Sequence, residues 1–297
     1  MSDNGVMAFR RLSHVVVVTL FLLALPVSPS DAAAATISAS TPCGDVATAT
    51  YTHVVWIMLE NEGYSVVGSS SAPYFNELGE QCALATNYYA ISHPSLPNYV
   101  ALTSGSPQGI TDDGEPSTHR LAVPSIFSQL GSKWRTLAES MPSACDNVTS
   151  GLYAARHNPA VYYTGIQATC RHDDVPMNYP LNLSADFTMI VPNVCDDMHS
   201  CPVSDGDAWL KRVVPLIVKS SQYQSRSLVL FITFDENDQM ASNRVPTLVI
   251  APTTPRGTRV TMRFNHYSLL RTTEALLHVK FLGGAKTATS LIAPFHL

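Results

Sequence analysis

The sequence predicts a layered α/β fold. Short β-rich runs alternate with amphipathic stretches, the strongest apolar run has the continuity of a strand buried on both faces, and no internal repeat or heptad breaks the alternation. A chain of 297 residues fits one large domain of this class.

Each element has its own signal. His53 to Leu59 (HVVWIML) reads as a buried strand. Ser125 to Leu130 fits a short helix stopped by Gly131, with Lys133 to Ala138 as the next strand. The interval from about Ser140 to Pro180 is loop-rich, holds two cysteines and is a candidate lid or substrate-facing insertion. Phe187 to Val191 is a further strand. Asp207 to Ser220 reads as a helix whose apolar face is Leu210, Val213, Val214 and Ile217, with a kink expected at Pro215. Ser227 to Phe234 (SLVLFITF) is the expected central strand, and Thr247 to Ala251 follows it. His266 to Phe281 completes the series as a helix with Leu269, Leu270, Thr273, Leu276, Leu277 and Phe281 on one side. Tyr99 to Leu102 begins another apolar stretch of helical character.

The N-terminus has the form of an export signal. Arg10 and Arg11 precede an apolar run from Val15 to Val27, and Ala32 to Ala35 offers A-x-A-like cleavage sites. The run is short for a spanning helix, which needs roughly 20 apolar residues. The expected organisation is therefore a signal peptide over 1–35 and a single domain over 36–297, secreted, without a transmembrane anchor after cleavage. A net charge of -5 and a pI near 6.0 give no basic surface, which argues against nucleic acid as a partner. Six cysteines in an exported chain suggest up to three disulfides, Cys195–Cys201 first among them. A zinc-thiolate site is the competing reading, but no C-x-x-C pair is present.

Acids fall where a site would need them. Glu60 and Asn61 follow the first apolar strand directly, and Asp235 and Glu236 follow the strongest one. Ligands of open α/β sheets bind beyond the carboxyl ends of the strands, so both pairs are expected to meet there. Their oxygens suit a hard divalent cation, and a nearby imidazole would widen the choice to zinc or manganese. Solvated strand-end acids are the simpler alternative. In Ser92-His93-Pro94-Ser95-Leu96-Pro97-Asn98-Tyr99, Ser95 stands at the start of the apolar stretch, where free backbone N–H groups favour a phosphate or an oxyanion. Ser95 as a plain helix cap remains the alternative. His93, His157, His199 and His266 each sit at a loop or element start. Phosphoryl transfer needs such donors and acids, although a lone histidine is usually structural.

These residues together resemble a known family. Leu59-Glu60-Asn61 and His93-Pro94-Ser95-Leu96-Pro97-Asn98-Tyr99 are followed by Arg156-His157-Asn158-Pro159, Val191-Pro192-Asn193 and Asp197-Met198-His199. Gly206-Asp207-Ala208-Trp209-Leu210, Phe234-Asp235-Glu236 and His266-Tyr267 complete the ordered set. The chain resembles the bacterial and fungal phosphoesterases that include acid phosphatases and phospholipase C enzymes. The resemblance implies an alkaline-phosphatase-like three-layer sandwich with a central, mostly parallel sheet. It implies Ser95 as a nucleophile that becomes phosphorylated, and a divalent metal ion held by Glu60, Asn61, Asp235 and Glu236. It implies Asn98, His93 and His266 as substrate-binding residues, the two histidines either facing the phosphate or supporting the groups that do, and His157 and His199 as donors to phosphate oxygens or acids for the leaving group, one of them oriented by Asp197. Tyr99 stands where sulfatases of the same superfamily have arginine in a Cys/Ser-x-Pro-x-Arg pattern, which disfavours a sulfatase. After Asp235-Glu236 the chain reads Asn-Asp-Gln-Met, which leaves one metal or two open. The expectation is a compact, monomeric acid phosphatase acting on phosphate monoesters, including phosphoinositides such as phosphatidylinositol 3-phosphate. A phosphodiesterase or phospholipase C is the second reading, and a non-catalytic module that binds phosphate esters the third.

Overall fold

The structure is a computed structural model that describes residues 1–2, 36–238 and 242–297. The chain divides into two units, Met1–Ala35 and Thr36–Leu297, and the fold is that of the second. The expected signal peptide lies outside the described residues apart from its first two. Among the described residues no helix is long and apolar enough to cross a membrane.

Nine strands among the described residues form one sheet: β1 (His53–Leu59), β2 (Ala83–Tyr89), β3 (Trp134–Ala138), β4 (Asp174–Pro176), β5 (Phe187–Val191), β6 (Leu228–Phe234), β7 (Arg244–Ile250), β8 (Thr258–Val260) and β9 (Phe264–Asn265). Their order is β4-β3-β5-β1-β6-β7-β2-β8, with β9 also on β2. The pairs β3–β4, β3–β5, β1–β5, β1–β6, β2–β8 and β2–β9 are parallel; only β7 runs against its neighbours. All residues of β5 and β6 are buried, as a strand covered on both faces requires. The covering helices are α1 (Pro73–Gln81), α2 (Ser95–Ser104), α3 (Ile126–Leu130), α4 (Gln167–Asp173), α5 (Val203–Val218), α6 (Ser221–Gln224), α7 (His266–Leu276) and α8 (Ile292–Phe295). Helix α1 packs on α5 and α2 on α7. Trp56 of β1 locks α7 to the sheet by donating its indole N–H to Thr273 Oγ1 at 3.1 Å.

Strands β1 and β5 have the expected bounds, and β3 and β6 begin one residue late. Strand β7 begins at Arg244, three residues before the expected Thr247. Helix α5 starts at Val203, four residues before Asp207, and runs through Pro215 to Val218. Helix α7 stops at Leu276, short of Phe281, because His278 takes a left-handed φ of 55° and the chain turns back. Glu274 Oε1 then accepts from the Leu282 N–H at 3.0 Å, and the Arg271 guanidinium lies 4.4 Å from the Phe281 ring. Phe281 thus reaches the helix from a loop. The stretch 140–180 contains α4, the edge strand β4 and short 3₁₀ turns. All six cysteines are paired, as Cys43–Cys82, Cys145–Cys170 and Cys195–Cys201, which removes the zinc-thiolate alternative.

Helix α1 was not legible in the sequence, and neither was its cap. Ala72 at its N-cap offers no side-chain acceptor. The carboxylate of Asp207, on α5, accepts instead from the N–H groups of Tyr74 at 3.0 Å and Phe75 at 2.8 Å. Asp207 therefore ties two helices together and satisfies two otherwise orphaned donors. Asp207→Ala is expected to lower the unfolding free energy by about 2–3 kcal/mol, measured by urea titration, with Asp207→Asn losing less.

Candidate active site

Strands β1 and β6 are adjacent, parallel and in register, Leu59 opposite Phe234. The residues that leave their carboxyl ends, Glu60 and Asp235, are therefore neighbours, and the Asp235 N–H donates to Leu59 O at 3.0 Å. Both are fully buried. Asn61 turns away with a left-handed φ of 54°, a conformation asparagine tolerates better than most residues. Its backbone N–H donates to Asp235 Oδ1 at 3.3 Å.

Ser95 is the first residue of α2, with Pro94 at the N-cap, and its side chain makes no capping bond. The hydroxyl instead donates to Glu60 Oε2 at 3.1 Å and is 98% buried as a residue. The plain capping alternative is thus not the observed geometry. One turn on, the Tyr99 hydroxyl donates to Glu60 Oε1, so α2 presents two hydroxyls to one carboxylate, as the i, i+4 spacing allows. Tyr99 was quoted in the sequence pattern without a role; its place four residues after Ser95 was the available signal.

His157 lies under this pair, its ring stacked on Tyr99 at 5.6 Å between centroids. Its Nδ1 is 3.1 Å from Asp197 Oδ2 and its Nε2 is 3.3 Å from Glu60 Oε2. With Nδ1–H donating to Asp197, Nε2 carries a lone pair and has no hydrogen-bond donor. Asp197 Oδ1 accepts from the backbone N–H of His199 at 2.8 Å. Disulfides enclose both halves of this arrangement. His157 lies within the Cys145–Cys170 loop, and Asp197 and His199 lie within the Cys195–Cys201 ring. Gly206 of α5 supports the ring from behind: a Cβ there would stand 2.4 Å from Met198 Cγ and 2.8 Å from Asp196 O. Glycine is required for this approach, not for its dihedral freedom. The His199 imidazole itself points elsewhere, with Nε2 3.2 Å from Arg156 Nη2 and Nδ1 3.0 Å from Ser200 Oγ.

On the other flank, His93 Nδ1 is 2.7 Å from Glu236 Oε2, and His93 is about one-third exposed by its side chain. Asn98 is buried, and its amide bridges the loop before α2 and the site, where Nδ2 also lies 3.5 Å from Glu236 Oε2. Its Oδ1 accepts from Ile91 N and Ser92 N, both at 2.9 Å, and its Nδ2 donates to Ser92 O and Pro94 O.

Residues 56–280 match the Phosphoesterase family. The chain is 32% identical over 248 residues to a phosphatidylinositol-3-phosphatase of Mycobacterium tuberculosis, covering 80% of this chain and 81% of that protein. The chain belongs to the phosphoesterase family. It is accordingly a phosphoric ester hydrolase. A phosphate-repressible acid phosphatase of Penicillium chrysogenum is 27% identical over 277 residues, 85% of this phosphoesterase but 65% of the longer fungal chain. Among solved structures, a protein of the alkaline phosphatase superfamily from Vibrio parahaemolyticus superposes with a TM-score of 0.54 at 14% identity, over 85% of this chain and 77% of that one. That likeness shows the fold, the alkaline-phosphatase-like α/β layering expected from the sequence.

The electrostatics of the phosphoesterase's site fit a cation. Burial, then Asp235, then Asp197 raise the Glu60 carboxyl well above the usual range. Burial raises Asp235 to about 6, against bonds from Ser95 and the Asn61 backbone, and raises Glu236 to about 9 with help from Asp235 and Asp113. Asp197 is also pushed well up, chiefly by burial. Three buried acceptor atoms here, Asn61 Oδ1, Asp235 Oδ2 and His157 Nε2, have no donor. Carboxylates gathered without an ion pair to lysine or arginine among the described residues, beside unpartnered acceptors, are what a divalent ion would relieve. Glu60, His157 and Asp197 also bring one ligand atom each within 4.8 Å of one another. The imidazole admits zinc or manganese as well as oxygen-preferring ions.

Of the two places expected for His266, the structure shows the supporting one. His266 is fully buried with both nitrogens engaged, Nε2 2.6 Å from Asp235 O and Nδ1 3.1 Å from Tyr88 OH. Burial lowers its pKa to about 4, so the ring is neutral; it braces the Asp235 backbone and has no nitrogen left for substrate. Asn98 shapes the loop that presents Ser95 and turns its Nδ2 toward Glu236 as well.

Asn158, next to His157, donates from Nδ2 to both oxygens of buried Asp174, at 2.9 and 3.0 Å. Burial raises that carboxyl to about 7, against about 4 in an unfolded chain. Its contribution to stability is full below about pH 4 and is lost as pH rises toward about 7. Asp174→Asn removes this titration. Urea unfolding from about pH 4 to about pH 8 is expected to show the variant gaining on the wild type as pH rises, by up to roughly 4 kcal/mol.

Proposed function

We propose that the chain is a secreted, metal-dependent acid phosphatase that hydrolyses phosphate monoesters through a phosphorylated Ser95. The observation that carries this reading is the Ser95 hydroxyl, buried and bonded to Glu60 at 3.1 Å instead of capping its helix. A serine at a helix start, beside a buried carboxylate and a His–Asp pair, has the nucleophile–base–orienter logic of covalent catalysis.

In the first half-reaction, Ser95 gives its proton to Glu60 Oε2 while Oγ bonds to phosphorus and the phosphorus–alkoxy bond breaks. Glu60 passes that proton to the departing alkoxide, so the alcohol leaves neutral, Glu60 is again a carboxylate and the phosphoryl group stays on Ser95. In the second, water gives a proton to the Glu60–His157 pair as its oxygen bonds to phosphorus, the phosphorus–Oγ bond breaks, and the pair returns that proton to Ser95 Oγ as inorganic phosphate leaves. Asp197 keeps His157 in the tautomer whose Nε2 accepts that proton. Tyr99 restrains Glu60 from the other oxygen. Glu60, Asn61, Asp235 and, from the flank, Glu236 would hold the divalent ion. When bound, the ion supplies a lowered serine pKa and charge withdrawal from a phosphate oxygen. His93, on Glu236 and open to solvent, is placed to meet the substrate.

The substrate class draws support from the relatives, one of which is named for phosphatidylinositol 3-phosphate and the other for acid phosphatase activity. Secretion draws support from the N-terminal pattern and from three disulfides, which persist in oxidising compartments.

The test is hydrolysis of p-nitrophenyl phosphate by protein lacking residues 1–35, with and without chelator. Ser95→Ala is expected to lower kcat by at least about 1,000-fold, and chelation to abolish turnover until a divalent ion is restored. A fully active Ser95→Ala protein would exclude the phosphoserine route. Turnover of the bis-ester alone would assign a phosphodiesterase.

A further inference from the structure

The candidate site is poor in positive charge. Glu60, Asp197, Asp235 and Glu236 lie together, and among the described residues no lysine or arginine forms an ion pair with any of them; their ion-pair partners are His93 and His157. One divalent ion offsets two charges, while a phosphate monoester brings in up to about two more negative ones. A monoester dianion therefore needs a further cation.

Arg156 is in place to be that cation. It precedes His157, whose Nε2 is 3.3 Å from Glu60 Oε2, and is partly exposed. Two neighbours hold its guanidinium. Asp113 Oδ2 is 4.0 Å from Nε, and His199 Nε2 is 3.2 Å from Nη2, which donates to it. The guanidinium Nη1 makes no hydrogen bond among the described residues. Asp113 also accepts at Oδ1 from the N–H of Leu96, the residue after Ser95, at 2.9 Å. One carboxylate thus links the helix that carries the nucleophile to the arginine.

We propose that Arg156 is the specificity-determining residue that receives the phosphoryl oxygens of a monoester dianion, with Asp113 and His199 as positioning residues. This rests on the reading of Ser95 as the nucleophile. A guanidinium fork pairs two terminal oxygens of a phosphate, and it gains more from a dianion with three of them than from a diester monoanion with two. His199 then serves by aiming Arg156, which accounts for an imidazole turned away from Glu60.

The test uses the metal-loaded chain with p-nitrophenyl phosphate, its bis-ester, and inorganic phosphate as inhibitor. Arg156→Ala is expected to lower kcat/KM on the monoester by about 100-fold or more, to weaken phosphate inhibition by at least about tenfold, and to change bis-ester turnover far less. Arg156→Lys keeps the charge without the fork and should fall between. Asp113→Asn keeps the acceptor for Leu96 but frees the arginine, and should weaken phosphate inhibition in the same direction. Equal losses on both esters with unchanged phosphate inhibition would overturn the inference and leave Arg156 a brace. Where bis-ester turnover is too slow to follow, phosphate inhibition of Arg156→Lys decides alone. Ser95→Ala runs alongside: if it still hydrolyses the monoester, the nucleophile reading fails, whatever Arg156 does.

Discussion

Glu60, Asp197, Asp235 and Glu236 are gathered with almost no exposure at the carboxyl edge of one sheet, and their mutual repulsion in a dry environment is the constraint that the surroundings are fitted to. Losing ion hydration there is costly. The neighbouring groups lessen that cost. Ser95 and Tyr99 donate hydroxyls to Glu60, His157 stands between two of the acids, and the backbone of Asn61 donates to Asp235. What remains at the site is a set of acceptors with no donor, Asn61 Oδ1, Asp235 Oδ2 and His157 Nε2, which a bound cation would satisfy.

The scaffold makes this crowding tolerable by giving the site rigid walls. Parallel β1 and β6 fix Glu60 against Asp235 through strand register, and α2 fixes Ser95 and Tyr99 through helical spacing. The remaining parts come from irregular chain, where rigidity must be supplied another way. Disulfides close the segments that carry His157 and Asp197, and Gly206 lets α5 press against the second of them. Long loops can hold functional residues when their backbone is braced in this manner.

The strands that position the site were legible because each carries its own signal. A continuous apolar run such as β6 has few readings other than a strand covered on both faces, and acids at its end stand out against it. Helix α7 was legible in its core and misjudged at its end, since the residues that turn the chain back, around His278, have no local punctuation such as glycine or proline. Helix α1 escaped notice because its cap comes from Asp207, more than a hundred residues away. His266 shows the same limit at the site. Its identity suits a phosphate-facing or a supporting role, and only its three-dimensional partners, the Asp235 carbonyl and the Tyr88 hydroxyl, decide for the second. Asp113 was invisible for a related reason, and Arg156 stood in the family pattern without a role: neither adjoins a strong strand, and their relation to Ser95 arises through tertiary contact alone.

Divalent cation binding measures the central electrostatic constraint most directly. The metal-stripped chain would be dialysed against manganese, which accepts both oxygen and imidazole ligands, and the retained metal counted by elemental analysis beside Glu60→Gln and Asp235→Asn. Stoichiometric retention by the wild type and its loss in both variants is the expected result. A wild-type chain that retains no divalent ion, or variants that retain as much as the wild type, would contradict a cation held among these carboxylates.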